Sequence, residues 1–217
     1  MTDRSRRFVP AIAALFLIGC VTSHDPDGVP LPVVPPPVVL GGSDSSGLGV
    51  VGSENALYVY RFRQIEPSGE FSYRDRDLSF YFRPTPTALF FRIENLQGRP
   101  VWIDWDQSKF VDVHGRLGKV AHSTTRWSER FNQQAQTQIP GTTQYSDYVF
   151  AMEDLVDPGS IQGSEEVQPH RPILPEDQSA PNFQGRTFGV DLEFLVEDRP
   201  RTYRVRYEVA SAIPKSR

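Results

Sequence analysis

The 217-residue chain is poor in sulfur, with one cysteine, Cys20, and two methionines. A single thiol gives no disulfide framework and leaves no spare cysteine nucleophile, which suits an exported chain in which extra thiols would risk wrong disulfides. There is no excess of basic charge either: the formal net charge is −4. That argues against a nucleic-acid partner and against adsorption to anionic lipid by charge alone. Long apolar runs are missing. The longest, Phe8–Ile18, has 11 residues, too few to cross a hydrocarbon layer of roughly 30 Å as a helix. No G-x-S-x-G elbow, H-E-x-x-H pair or phosphate-binding glycine loop occurs, so no enzyme class and no cofactor is indicated.

What is present begins at the N-terminus. Arg4, Arg6 and Arg7 precede the short apolar run, and Leu17-Ile18-Gly19-Cys20 follows it. A charged start and a short apolar core make a signal peptide, to be excluded from the folded domain. The four residues resemble the lipobox of bacterial lipoproteins, in which a small residue precedes an invariant cysteine. The resemblance covers about 20 residues, and the chain's one cysteine falls at the required place. It implies cleavage between Gly19 and Cys20, diacylglyceryl modification of the Cys20 thiol, and a membrane anchor of two or three acyl chains. Several chains hold firmly where one binds only marginally. Val21 stands where an aspartate would typically retain a lipoprotein in the inner membrane, so the analogy favours the outer membrane of a diderm envelope. A plain secretory signal or uncleaved anchor is the alternative. Ser5-Arg6-Arg7 also resembles a twin-arginine export signal, although Phe8 follows the pair at once. Without residues 1–19 the chain holds 20 basic and 26 acidic side chains, a net charge of −6.

Proline is abundant, at 19 residues, about twice the usual share. Residues 20–53 carry Pro26, Pro30, Pro32, Pro35, Pro36 and Pro37, then a stretch rich in glycine and serine. Such a segment favours polyproline II and, over residues 25–40, reaches on the order of 50 Å at about 3.1 Å per residue. It reads as a tether, with a proline-rich ligand for a partner groove as the rival reading.

From residue 54 to 213 the period is two. With Phe 14 and Tyr 8, the pattern predicts strands. Leu57–Arg63, Leu78–Phe82, Thr87–Asn95, Val101–Trp105, Tyr145–Met152 and a hairpin of Lys109–Asp112 with Leu117–His122 give eight or nine short strands with the C-terminal pair. That pair is a hairpin, Phe188–Val196 and Tyr203–Val209. A turn over Asp198–Arg201 sets Val196 against Tyr203, Phe194 against Val205, Leu192 against Tyr207 and Glu193 against Arg206. The expected fold is an all-β antiparallel β-sandwich, immunoglobulin-like, interrupted by long loops at 123–138 and 157–185. Ile93–Val120, with its I-D-W-D-x-S-x-F-V-D-x-x-G run, is similar to segments of uncharacterised envelope lipoproteins with such sandwiches, a resemblance that implies no activity.

Three constellations merit weighing. Asp104, Asp106 and Asp112, with Ser108, are weak candidates for a calcium site, since the spacing lacks the glycine and terminal glutamate of a calcium-binding hand. Asp106–Ser108 reads equally as a capped turn. His114 and His122 could approach each other across the small hairpin, or be an ordinary turn residue and a strand end. Trp102 points away from the core if Val101, Ile103 and Trp105 point inward; with Trp127 it could form an exposed binding surface. The expected role is a non-catalytic binding or scaffolding module, lipid-anchored at Cys20, with an envelope protein as partner. The alternatives are an envelope hydrolase with a loop-built site, or a carbohydrate-binding module using the tryptophans.

Overall fold

Period-two alternation becomes strands, and the aromatic inward positions become the core. The computed structural model describes residues 39–40, 50–67, 71–160 and 169–216. The expected signal peptide, with Gly19 and Cys20, and the proline-rich stretch lie outside the described residues. Within them the chain forms β1 (Val39–Leu40), β2 (Val50–Val51), β3 (Tyr58–Glu66), β4 (Ser72–Arg74), β5 (Leu78–Pro84) and β6 (Leu89–Asn95). The rest are β7 (Val101–Val111), β8 (Leu117–His122), β9 (Thr137–Ile139), β10 (Gln144–Ala151), β11 (Thr187–Val196) and β12 (Arg199–Pro214). The described helical segments are short 3-10 turns.

All pairings are antiparallel, in the order β1-β2-β3-β12-β11-β7-β8-β10-β6-β5-β4, with β9 beside β7. The layers β12-β11-β7 and β5-β6-β10 follow the immunoglobulin-like order of strands G-F-C and A-B-E. They are not separate sheets. Leu117–Lys119 of β8 pair with β7, and Val120–His122 pair with β10, so one strand turns the corner and the sandwich is a half-barrel. The inward rings meet across it: Phe80 and Phe194 lie edge to face at 5.7 Å, and Phe91 and Trp105 lie tilted at 6.4 Å. Each large side chain buried there contributes about 1.5–3 kcal/mol.

The far end is tied by charge. Asp77, between β4 and β5, is buried and accepts hydrogen bonds from Arg76 and Gln97, and from Arg201 of β12. The Arg76 hydrogen bond, helped by those of Arg201 and Gln97, holds its carboxyl at about 2. Beside it, the Tyr203 hydroxyl donates to Asp75 at 2.7 Å. The 157–185 loop returns through its described part, 169–185, as a strap. Ile173, Leu174 and Ala180 are buried in the core. Leu174 N–H donates to Pro86 O, Leu57 N–H donates to Glu176 O (both 2.9 Å), and the Tyr60 hydroxyl donates to Pro175 O. The strap thus joins the start of β3 to the β5–β6 turn.

Two expectations need correction. The sheet begins before residue 54: Val39 pairs with Val51, and Val51 with Tyr60, so the end of the expected tether adds strands to the sheet edge. The C-terminal hairpin has another register. Leu192 faces Tyr203, Val190 faces Val205, Phe188 faces Tyr207 and Val196 faces Arg199. Glu197 and Asp198 both have positive φ, 53° and 58°, so the turn has two residues of the type I′ kind. Pro200, read as a turn residue, sits opposite Leu195 where β12 has no partner on its other side among the described residues, a place that tolerates proline. The slip is even, so the faces are kept but the ion pair changes: Arg206 bonds Asp191 at 2.6 Å, and Glu193 accepts from the Thr202 hydroxyl at 2.6 Å.

Gly189 is where this hairpin comes closest to its own backbone: a Cβ there would run into the Val205 carbonyl. Gly189→Ala is expected to destabilise by about 1–3 kcal/mol, read as a lower urea midpoint at an unchanged slope. An unchanged midpoint would contradict the register.

Candidate functional site

The site is assembled where β7 bulges and β8 ends. The β7–β11 register shifts between Asp191 and Glu193, leaving Trp105–Ser108 of β7 opposite Leu192. Ser108, fully buried, takes over the missing ladder contacts: its hydroxyl donates to Asp104 O at 2.7 Å and accepts from Glu193 N–H at 3.0 Å. The Asp106–Ser108 turn of the sequence is therefore a bulge within a strand. It sends Trp105 into the core and leaves Asp104, Asp106 and Gln107 on the other side.

Trp105 stacks on His122, the last residue of β8, at 4.1 Å and 8° between planes. His122 Nδ1 lies 3.2 Å from Asp147 Oδ2, which also accepts from the Tyr145 hydroxyl at 2.6 Å. Asp147 Oδ1 accepts from the backbone N–H of Tyr148 at 2.7 Å and of Ser123 at 3.2 Å. Burial works against the Asp147 charge, but the His122, Tyr145 and Ser123 hydrogen bonds outweigh it and hold the carboxyl below its ordinary range. Burial, then the Asp147 charge, push the Tyr145 hydroxyl well up.

This buried group fixes the take-off of the 123–136 loop. Thr125 Oγ1 accepts from His122 N–H at 3.0 Å and donates to Gln134 Oε1 at 3.0 Å. Gln134 then donates from Nε2 to Val120 O at 2.9 Å, and its backbone N–H donates to Asp106 Oδ1 at 3.2 Å. Asp104 Oδ2 accepts from Gln136 Nε2 at 2.9 Å, and its Oδ1 from Gln107 N–H at 3.2 Å. Asp104, Asp106, Gln107, Gln133, Gln134 and Gln136 line an open recess.

At the loop's crest, Trp127 begins a one-turn 3-10 segment, Trp127–Glu129, and packs on a second cluster that includes Ala121, Tyr148 and Phe150. The Arg130 guanidinium lies 3.5 Å from the centre of the Trp127 ring and 4.3 Å from that of Phe131. Its Nη1 also donates to Trp127 O at 2.6 Å. Phe131 is 81% exposed, the most exposed large apolar side chain among the described residues.

The sequence candidates fall at several places in the structure. Trp102 lies on the outer face of β7, paired with Gln138 and Leu195, and Trp127 belongs to the second cluster. The most exposed ring among the described residues is Phe131, which the sequence places in the same loop as Trp127 without distinguishing it. Asp104 and Asp106 share the recess. Asp112 sits at the far end of β7, where it binds Arg116 at 2.6 Å and caps the turn through the His114 and Arg116 N–H groups. Among the described residues no group of three or more His, Cys, Asp or Glu side chains is placed to hold a metal ion. His114 and His122 do not meet: β8 runs between them, and His114 instead faces Phe183 edge-on at 6.2 Å. Among the described residues no helix is long and apolar enough to cross a membrane. No family model, curated protein or solved structure matches the chain.

Asp147→Asn keeps the shape and removes the charge-assisted hydrogen bonds, at an expected cost of about 2–3 kcal/mol near neutrality. A carboxyl held below its ordinary range stabilises the fold above the unfolded-state value and loses that stabilisation as pH falls through the folded value. The gap between the thermal midpoints of wild type and variant should therefore be widest near neutral pH and close below pH about 4. A gap independent of pH would remove the charge from the account.

Proposed function

We propose that the chain is a membrane-tethered, non-catalytic module of the bacterial cell envelope that binds or scaffolds an envelope assembly through the β8–β9 loop. The lipobox-like Leu17-Ile18-Gly19-Cys20 supports the anchor, and the proline-rich segment supports a spacer between lipid and domain. The observation that carries the binding half is Phe131, 81% exposed yet stacked on an arginine that also covers Trp127. Exposed aromatic surface is costly in water, and an aromatic–arginine–aromatic stack loses little freedom when a partner covers it. Aromatic and arginine side chains are the types in which binding energy concentrates.

Mass spectrometry of the protein isolated from membranes should find a lipid-modified peptide that begins at Cys20. Cys20→Ala should move the protein from the membrane to the soluble fraction. An unmodified Cys20 would sink the anchor. In crosslinked envelopes, Phe131→Ala should reduce partner recovery about tenfold while shifting stability by no more than about 0.5 kcal/mol. Leu117→Ala, a change at an exposed apolar residue of β8, serves as the control. Equal losses for both variants would reject the loop as the binding surface.

A further inference from the structure

We infer that the recess between the β7 bulge and the 133–136 segment binds a neutral polyhydroxylated chain, a glycan, with Phe131 as its stacking ring. This rests on the reading of the β8–β9 loop as the binding surface. The lining is carboxylate and amide: Asp104, Asp106, Gln107, Gln133, Gln134 and Gln136, with Ala135 as its apolar member. No cation lines it. The nearby Lys109 donates to Asp106 O at 3.2 Å, and Arg130 is engaged with two rings. With two carboxylates in its lining, and the neighbouring Lys109 and Arg130 held on other groups, the recess disfavours phosphates, uronates and sulfates. Its one apolar side chain, Ala135, offers poor burial to an acyl chain or an apolar helix face.

Hydroxyl groups fit what remains. Each is donor and acceptor at once, as amides are through their two ends, whereas a carboxylate only accepts. The carboxylates are positioned beforehand: Asp104 by Gln107 N–H and Gln136 Nε2, Asp106 by Gln134 N–H. These donors, one from β7 and two from the loop, already occupy the carboxylates, which weakens them as ligands for a free cation. Gln107 and Gln133 are exposed at the rim, so their side chains can turn toward an incoming chain, and Gln136 stands exposed beside them with its amide nitrogen on Asp104. The recess is open rather than enclosed, a shape that suits a long polymer passing across it better than a small molecule held inside. Phe131 stands two residues before Gln133 and offers a flat apolar face, against which the C–H face of a sugar ring can be buried.

The test uses the full-length protein in detergent on a printed panel of neutral, acidic and amine-bearing oligosaccharides. Retention on neutral glycans is expected, weakened about tenfold by either Gln136→Ala or Phe131→Ala and unchanged by Trp102→Ala, with circular dichroism confirming that each variant is folded. No retention, retention on acidic or amine-bearing chains alone, or retention indifferent to Gln136 and Phe131 would overturn the inference. If glycan binding fails while crosslinked recovery of a partner still depends on Phe131, the binding module stands without the glycan. If both fail, the loop is not the binding surface.

Discussion

The whole arrangement depends on one strand that serves two layers. β8 spends its first half bonded to β7 and its second half bonded to β10, so the layers close at one side into a corner instead of facing each other as independent sheets. A corner strand must satisfy three environments within a few residues. Val120 faces the main core, Ala121 the second cluster, and His122 the ring of Trp105. The β7 bulge answers the same demand from the other side, since it delivers Trp105 into the corner and lets Ser108 replace the ladder bonds lost there. An unfilled corner would leave a void beside several aromatic rings, and such voids are costly in a close-packed interior.

Polar side chains hold the two ends of this structure. At the corner, Asp147 gathers two side-chain and two backbone partners and sets the direction of the 123–136 loop. At the far end, Asp77 joins the β4–β5 turn to the β6–β7 turn and to β12. A buried carboxylate stabilises a fold only when its hydrogen-bonding capacity is filled, and both are filled by groups from several segments. The consequence for binding is direct. A loop fixed at its base by Asp147 and Gln134 can display Phe131 to solvent without collapsing it onto the domain.

Much of this is legible in the residues themselves. Alternation in Leu78–Phe82, Thr87–Asn95 and Phe188–Val196 marks the inward face of each strand, and the buried positions are the ones the period selects. The fold class follows, because aromatic and β-branched alternation without an amphipathic helical period leaves only stacked or closed sheets. The hairpin register is less legible. Glu197-Asp198 carries none of the Asn-Gly signature of a type I′ turn, whereas Pro200 imitates a turn residue. The candidate site is half legible: Asp104, Asp106 and the aromatic loop stand out, but Gln134 and Asp147 do not. Their roles come from partners 28 and 25 residues away.

The sequence by itself determined the inward and outward faces of the strands, since these are local properties of consecutive residues. The tertiary structure alone decided that β8 bridges two layers, that Asp112 and His114 part company with Asp104 and His122, and that Phe131 is the most exposed ring among the described residues. Those outcomes depend on which strands lie side by side. A pleated strand with period two carries no label for its neighbour; pairing is chosen by the packing of the whole core.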